Sequence, residues 1–271
     1  MTESLGKRTF VINIKQADEA MSLKTWWALP FILPLSRRLV VYVVNHTRIT
    51  PNQLTFTAMA LRLLTACFFA QDQRWWLIAC AVTYHLAFVC DCADGTIARI
   101  KKQTSELGRY LDHGADLFGD ILILVVLAWT QDMLWTPMVF AMIFMYVADC
   151  YISYLSGFAL SPVDGGKASI APFNWMNRYR DWWFSRNIKS FFSFPDFNAL
   201  IFVFCPLFGI PDIGLQVGFY FVLLICLYTV LSTFVSIHTG RKYFPWWSLC
   251  RCVTYRIVNW ILDFSSLLIS V

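Results

Sequence analysis

The amino-acid sequence predicts an all-α fold: a polytopic membrane protein with a bundle of six transmembrane helices and an amphipathic juxtamembrane helix near its amino terminus. Hydrophobic residues make up 58% of the 271 residues and charged residues only 14%, whereas soluble domains are about one quarter charged. Apolar runs of bilayer-spanning length recur along the chain. The 12 Trp, 11 Tyr and 24 Phe residues suit interfacial and lipid-facing positions. This composition argues against a disordered chain.

The first part of the chain is expected to lie outside the bilayer core. Residues 1–26 are polar and should form a cytoplasmic arm. The arm has basic residues but no apolar run, so no cleavable signal peptide is expected. Residues 27–45 are apolar but contain Arg37 and Arg38, a pattern typical of a helix that lies in the membrane interface.

Six apolar segments follow, and each is interpreted as a transmembrane helix. Pro51 suits the first turn of the first helix, where no backbone donor is needed. The spans are placed at residues 51–70, 75–97, 107–129, 134–155, 197–210 and 213–237. A second amphipathic stretch follows them. The expected domains are therefore the arm at 1–26, a membrane domain at 27–240 and a carboxy-terminal interfacial segment at 241–271.

The distribution of basic residues predicts the orientation. In this topology every Lys and Arg lies on the side of the amino terminus, except Arg62 inside the first span and Arg74. Positive charge marks the cytoplasmic face, so both termini and the active site are predicted to be cytoplasmic. The membrane would be a bacterial inner membrane or a eukaryotic endomembrane. The formal net charge of +5 favours anionic lipid headgroups as partners, and no nucleic-acid partner is expected.

The connection at residues 156–195 is long and alternates aromatic with basic residues, among them Arg178, Arg180, Arg186 and Lys189. One interpretation is a helix on the membrane surface whose basic side chains extend to the headgroups. The other is a lip that helps to bind an anionic substrate.

The densest group of acidic residues lies at the end of the second span and the start of the third. Asp91 and Asp94 are three residues apart, so they share one helix face. Asp112 and Asp116 are four apart and share a face of the next helix. A short connection makes the two helices antiparallel neighbours, so the pairs should face each other near the cytoplasmic end. Carboxylates in membrane helices are costly, and clusters of them usually mark function.

Four carboxylates in one site cannot all ionise without compensation. Hard divalent cations with oxygen ligands, Mg²⁺ or Mn²⁺, would provide it. Two ions about 3.5–4 Å apart would suit displacement at phosphorus. Gly95 and Gly108 leave room for a ligand beside the backbone, and Ala98 keeps its face shallow. Arg99 can pair with phosphate oxygens.

These residues resemble the signature of the CDP-alcohol phosphotransferase family, DxxDGxxARx8GxxxDxxxD. The fixed positions are matched by Asp91, Asp94, Gly95, Ala98, Arg99, Gly108, Asp112 and Asp116. The stretch ITPNQLT at residues 49–55 is similar to the segment that leads into the family's first span. The resemblance covers residues 27–240 and implies a six-helix membrane bundle, usually a homodimer, with a polar cavity open to the cytoplasm.

The resemblance also implies a reaction. Family members transfer the substituted phosphate of a CDP-linked donor to an alcohol acceptor and release CMP. The implied metal ligands are Asp91, Asp94, Asp112 and Asp116. The implied nucleotide-binding residues are Asp94, Gly95, Ala98, Arg99 and Gly108. Asp116 would also serve as general base on the acceptor hydroxyl.

Because of His113, the sequence leaves open which residue is the general base and which CDP-linked molecule is the donor. The string LDHGAD resembles the DHGxD form of eukaryotic choline and ethanolamine phosphotransferases, in which a histidine here is a candidate base. Those enzymes use a CDP-aminoalcohol donor and a diacylglycerol acceptor. The compact chain instead favours CDP-diacylglycerol as donor and a small alcohol such as inositol, serine or glycerol phosphate as acceptor. The sequence does not name the acceptor.

Two charged residues lie deeper in the predicted bundle. At about 1.5 Å per residue from the cytoplasmic ends, Arg62 lies roughly 16 Å deep and Asp120 roughly 19 Å. An unpaired charge there is costly, so a structural ion pair between them is expected. Asp149 in the fourth span is an alternative partner for Arg62, or a polar group of the acceptor cavity.

Two further function classes fit the sequence less well. An intramembrane prenyltransferase also uses aspartates and Mg²⁺, but the sequence contains no DDxxD string. A cation transporter would need an acidic site at the bilayer midplane, whereas these aspartates lie near one face among Gly, Ala and Arg. Metal-dependent release of CMP would separate the enzyme from the transporter.

Overall fold

A computed structural model describes residues 11–71, 73–159 and 174–239 of the protein. Over these residues the regular structure is helical, and the backbones of Lys24 and Ile188 form an isolated bridge. The predicted all-α class is confirmed for this part of the chain.

The α-helices of the described residues are numbered in chain order. They are α1 (Ile14–Glu19), α2 (Leu33–His46), α3 (Pro51–Phe69), α4 (Arg74–Ile100), α5 (Glu106–Thr130), α6 (Pro137–Ala159), α7 (Asn174–Phe184), α8 (Phe194–Ala199), α9 (Cys205–Phe208) and α10 (Pro211–Thr239). A π-helical segment, Ala28–Ile32, runs directly into α2. Another, Leu200–Phe204, joins α8 to α9, so that residues 194–208 form one continuous helical segment.

Local sequence signals explain where several helices begin. Thr50 caps α3 by accepting from the backbone N–H of Gln53, whose side chain accepts from the Thr50 backbone in return. Pro51 occupies the first turn, as predicted. The Ser105 hydroxyl caps α5 by accepting from the backbone of Gly108, which satisfies one of the free amide groups of the first turn.

The helices pack in an arrangement that leaves a cleft. α3 packs against both α4 and α5, whereas α4 and α5 have little direct backbone contact with each other. α2 packs on α4, and α10 packs on α6. The segment of residues 194–208 fills the centre between α4 and α10. Its Phe202 is buried in the apolar core together with Phe69 and Leu124.

The predicted spans coincide with helices, but the count of six membrane crossings is not confirmed. In the described part of the chain, three helices are long and apolar enough to cross a bilayer: Ala28–His46, Arg74–Ile100 and Pro211–Ser236. Shorter apolar helices cover Pro137–Ser153 and Phe194–Phe208. The membrane-protein class is therefore supported, while the orientation of the helices stays a prediction.

The amino-terminal helix differs from expectation in one respect. We predicted an interfacial helix at residues 27–45, but Ala28–His46 also has the length and hydropathy of a span. The polar arm before it is tied to α2, because Asn45 exchanges two hydrogen bonds with the backbone of Ile12, at 2.9 and 3.0 Å.

The long connection contains the helix α7, and its basic residues have different surroundings. Arg186 is exposed and its guanidinium stacks over Trp182, at 3.7 Å from the ring centre. Arg180 does not reach out to headgroups, because its side chain is only 1% exposed and donates to the Ser232 carbonyl and the Ser236 hydroxyl. Residues 160–173 of this connection and the predicted interfacial segment 241–271 lie outside the described residues.

Candidate active site

Three of the predicted metal-binding carboxylates meet across the cleft. One carboxylate oxygen each from Asp91 on α4 and from Asp112 and Asp116 on α5 lie within 4.8 Å of one another. We call these three residues the carboxylate cluster. The two helices are held apart by their common packing on α3, so their side chains meet while their backbones do not.

Asp94 lies beside the cluster but faces elsewhere. Its side chain is 3% exposed and accepts a hydrogen bond from the Thr55 hydroxyl of α3. Thr55 belongs to the ITPNQLT stretch, so the structure links this stretch to the signature. The role of Asp94 as a metal ligand or nucleotide-binding residue stays a prediction.

The carboxylate cluster suits a divalent cation by a structural criterion. The Oδ1 atom of Asp112 is buried and has no hydrogen-bond partner among the described residues. A buried carboxylate oxygen without a donor is costly, and a cation would satisfy it. Hard oxygen ligands are those that Mg²⁺ and Mn²⁺ prefer.

The matched family agrees with this geometry. The model of the CDP-alcohol phosphatidyltransferase family matches residues 48–174, a range that contains the carboxylate cluster and the whole signature. Residues 48–174 are therefore similar to a CDP-alcohol phosphatidyltransferase domain. Members of the family transfer substituted phosphate groups and generally use divalent metals. The predicted family is confirmed over this range, which is shorter than the expected 27–240. No curated protein matches the chain.

Within the phosphatidyltransferase domain, Arg62 of α3 is the counter-charge of the site. Its guanidinium lies 2.7 Å from Asp116, 3.4 Å from Asp91 and 3.3 Å from Asp120. The predicted ion pair with Asp120 is thus present, but Arg62 also reaches into the carboxylate cluster. Gly119 makes this possible, since a Cβ atom there would lie 2.7 Å from Cδ of Arg62.

Asp120 lies one turn beyond Asp116 and is surrounded by donors. It is 4% exposed and, besides Arg62, accepts from the hydroxyls of Tyr84 and Tyr146 at 3.1 and 2.9 Å. The side-chain amide of Asn198 completes the set at 2.7 Å. We call Asp120 and these donors the Asp120 network. Its full complement of partners explains how a carboxylate is held deep in the bundle.

The predicted nucleotide-binding residues lie on both helices that flank the cleft. Gly95 and Ala98 are half-buried on α4 and Gly108 is half-buried in the first turns of α5. The guanidinium of Arg99 lies over Gly95, where a Cβ atom would be 3.4 Å from its Nη1. Arg99 also donates to the Ala20 carbonyl at 2.7 Å, which ties the amino-terminal arm to the signature.

His113 is placed differently from its neighbours. It is exposed, whereas Asp112 and Asp116 are half-buried at the cleft. The helix turns about 100° between consecutive residues, which separates the imidazole from the face that holds the carboxylates. Its role as a base stays a prediction.

Sequence reasoning missed several polar residues that contact the buried carboxylates. Thr55, Tyr84, Tyr146 and Asn198 each hydrogen-bond a buried carboxylate. A signal was available for the last three, because each has a polar group in an apolar segment and buried polar groups need partners. Their distance along the chain from Asp120 concealed that they share one partner.

Proposed function

We propose that this protein is an integral membrane CDP-alcohol phosphotransferase of phospholipid biosynthesis. It would move a phosphatidyl group from CDP-diacylglycerol to the hydroxyl of a small alcohol and release CMP. The observation that supports this best is the convergence of Asp91, Asp112 and Asp116 within 4.8 Å inside a matched phosphatidyltransferase domain.

We propose Asp91, Asp94, Asp112 and Asp116 as the residues that hold Mg²⁺ or Mn²⁺, with two ions in the site. The bound cations would supply charge stabilisation to the diphosphate and the leaving group. Asp94 would join the cluster by releasing the Thr55 hydroxyl, which now occupies its oxygen. Arg62 would keep the carboxylates partly neutralised and ordered before the ions bind.

The proposed proton acceptor is Asp116. Its carboxylate would take the proton of the acceptor hydroxyl as the oxygen attacks the phosphatidyl phosphorus. A new phosphorus–oxygen bond forms to the acceptor, and the bond from that phosphorus to the bridging oxygen breaks. CMP leaves with the bridging oxygen as part of its phosphate, so charge and atoms balance.

The nucleotide is proposed to lie along α4. Gly95 and Ala98 leave a shallow helix face against which a flat base and ribose can lie, and Gly108 of α5 closes the other side. Arg99 would exchange its contact with the Ala20 carbonyl for the diphosphate oxygens, because a guanidinium binds phosphate more strongly than a neutral carbonyl.

The surrounding organisation is proposed to match the chemistry. The membrane domain would extend over residues 27–240, between a cytoplasmic arm at 1–26 and an interfacial segment at 241–271. The site would open to the cytoplasm, where CMP is released, and two copies of the chain would form a homodimer in the bilayer. The anionic lipid surface would attract the basic loops.

The decisive test is CMP release by the purified full-length protein in lipid nanodiscs. CDP-diacylglycerol and CDP-choline serve as donors, each with a panel of small alcohols and with diacylglycerol. Release should require a donor, an acceptor and Mg²⁺ or Mn²⁺. EDTA should stop it, and added Mg²⁺ should restore it. The matched control is Asp132→Asn, the same chemical change in the α5–α6 turn at a residue with φ of 55°, a conformation that Asn tolerates.

One sequence observation favours a second donor arrangement. The DHGxD string with exposed His113 is the form associated with a CDP-aminoalcohol donor and a lipid acceptor. CMP release from CDP-choline with diacylglycerol, and none from CDP-diacylglycerol, would establish that arrangement. Cation flux across a bilayer without any CMP release would instead support a transporter.

A further inference from the structure

Asp149 of α6 carries a carboxylate oxygen that the described structure does not satisfy. The residue is 9% exposed. Its Oδ1 atom is buried without a hydrogen-bond partner among the described residues. Leaving a buried acceptor unsatisfied is costly, and in a transferase this points to a donor group that arrives with a substrate.

The register of α5 against α6 places Asp149 at the level of the carboxylate cluster. The Tyr146 hydroxyl lies 2.9 Å from Asp120, which fixes the two antiparallel helices at that height. Asp116 lies four residues before Asp120 and Asp149 three residues after Tyr146. At about 1.5 Å per residue, both lie one turn further toward the same end of the bundle.

Asp149 lies on α6, which contacts α5 but carries none of the proposed nucleotide-binding residues. An acceptor held from α6 would therefore not compete with a nucleotide that lies along α4.

We propose that Asp149 binds the acceptor alcohol, by accepting a hydrogen bond from a second donor group of that alcohol. The donor group is an ammonium or a hydroxyl a few bonds from the reacting hydroxyl. This inference rests on the proposed function and deepens it. A carboxylate in this position repels phosphate, so an acceptor that carries a phosphate group is disfavoured.

The test compares acceptor kinetics of the wild-type protein with those of Asp149→Asn, in nanodiscs with saturating CDP-diacylglycerol and Mg²⁺. Asn has the same shape and removes the negative charge. We expect the KM for the acceptor to rise on the order of tenfold or more, as for loss of a charge-assisted hydrogen bond. The KM for the donor and kcat should stay within about threefold of wild type.

Three classes of acceptor alcohol identify the group that donates the hydrogen bond to Asp149. Serine and ethanolamine offer an ammonium, inositol and glycerol offer hydroxyls, and glycerol phosphate adds a negative charge. The class of acceptor whose KM rises most in Asp149→Asn identifies that hydrogen-bond donor. Asp149→Glu, which keeps the charge, should retain more acceptor affinity than Asp149→Asn, and Asp132→Asn is the control for a remote carboxyl-to-amide change.

The outcomes separate this inference from the function itself. An unchanged acceptor KM in Asp149→Asn would overturn the assignment, as would a preference of the wild type for glycerol phosphate. A rise in donor KM in place of acceptor KM would also overturn it. Failure of the wild type to release CMP with any donor and acceptor would overturn the proposed function together with the inference.

Discussion

Two regions of α5, one helical turn apart, both contain buried carboxylates but differ in how many hydrogen-bond donors surround them. In the Asp120 network, one carboxylate accepts from Arg62, Tyr84, Tyr146 and Asn198. In the carboxylate cluster, Asp91 and Asp116 share the guanidinium of Arg62, and Oδ1 of Asp112 has no hydrogen-bond partner in the described part of the chain. The Asp120 network contains enough hydrogen-bond donors for its carboxylate, whereas the carboxylate cluster does not.

This difference separates structural from functional carboxylates. A carboxylate with a full set of donors gains nothing from an added cation and rigidifies the helices that provide the donors. A group of carboxylates with too little positive charge is destabilised until a cation binds. Arg62 contacts both regions, so it links the stability of the bundle to the charge of the site.

The largest expected effect comes from exchanging Asp112 for Asn and comparing it with the same exchange at Asp120. We expect Asp112→Asn to lower CMP release on the order of a hundredfold or more, because a metal ligand is lost. Its melting temperature should be unchanged or higher, since one of several like charges is removed. Asp120→Asn should do the reverse, with a lower melting temperature. Near-normal, Mg²⁺-dependent turnover in Asp112→Asn would contradict the assignment of a functional role to the carboxylate cluster.

A second large effect should distinguish Asp116 from His113 as the base. General-base catalysis contributes about a hundredfold to ten-thousandfold, and Asp116 is in the cluster while His113 is exposed. We therefore expect Asp116→Ala to lose at least a hundredfold in kcat and His113→Ala less than tenfold, at saturating donor and Mg²⁺. The pH profile adds a second readout, because an imidazole base gives activity that rises near about pH 6.5.

The opposite ranking has a defined meaning. If His113→Ala binds the donor normally and is as inactive as Asp116→Ala, the histidine is the base. The DHGxD resemblance, and a CDP-aminoalcohol donor with it, then becomes the better interpretation.

The sequence predicted the helices and the meeting of three aspartates because both depend on local spacing. The apolar runs placed α3 to α6 and α10 within a few residues of their observed bounds. The spacing of four residues indicated that Asp112 and Asp116 share a helix face, whereas Asp94 lies beside the cluster and not in it. The meeting of Asp91 with Asp112 and Asp116 followed from the short connection between α4 and α5.

Distances between helices and partners far apart in sequence could not be predicted in this way. Spacing gives the face of a helix but not its separation from the next, so the cleft between α4 and α5 was missed. Arg180 was expected at a surface because its acceptors, Ser232 and Ser236, belong to a distant helix. The sequence predicts Asp120, or else Asp149, as the partner of Arg62. The reach of Arg62 into the cluster depends on how closely α3 approaches Gly119, which spacing does not give.

A smaller effect, on stability, is expected when the guanidinium of Arg62 is removed. Arg62→Leu leaves Asp91, Asp116 and Asp120 without their guanidinium, whereas Asp120→Leu leaves Arg62 with two carboxylates. Breaking a buried pair costs about 3–5 kcal/mol, and we expect Arg62→Leu to be the less stable variant in EDTA. Mg²⁺ should raise its melting temperature more than that of wild type, because the cation replaces the missing charge.

The measurement is thermal unfolding in detergent with EDTA and with excess Mg²⁺. Arg38→Leu, the same change at an exposed position of α2, serves as the control. Equal melting temperatures of Arg62→Leu and Asp120→Leu in EDTA would show that Arg62 does not stabilise the cluster.

The smallest effect should come from removing one donor of the Asp120 network. Tyr84 is 3% exposed, and its ring packs edge-on against Phe202 at 5.0 Å between centres. Tyr84→Phe keeps this packing and removes the 3.1 Å hydrogen bond to Asp120, which retains its other donors. We expect a loss of about 1 kcal/mol in unfolding free energy, typical of one hydrogen bond, with unchanged CMP release and Mg²⁺ dependence. Loss of turnover comparable to that of Asp112→Asn, without loss of stability, would mean that the two regions act as one site.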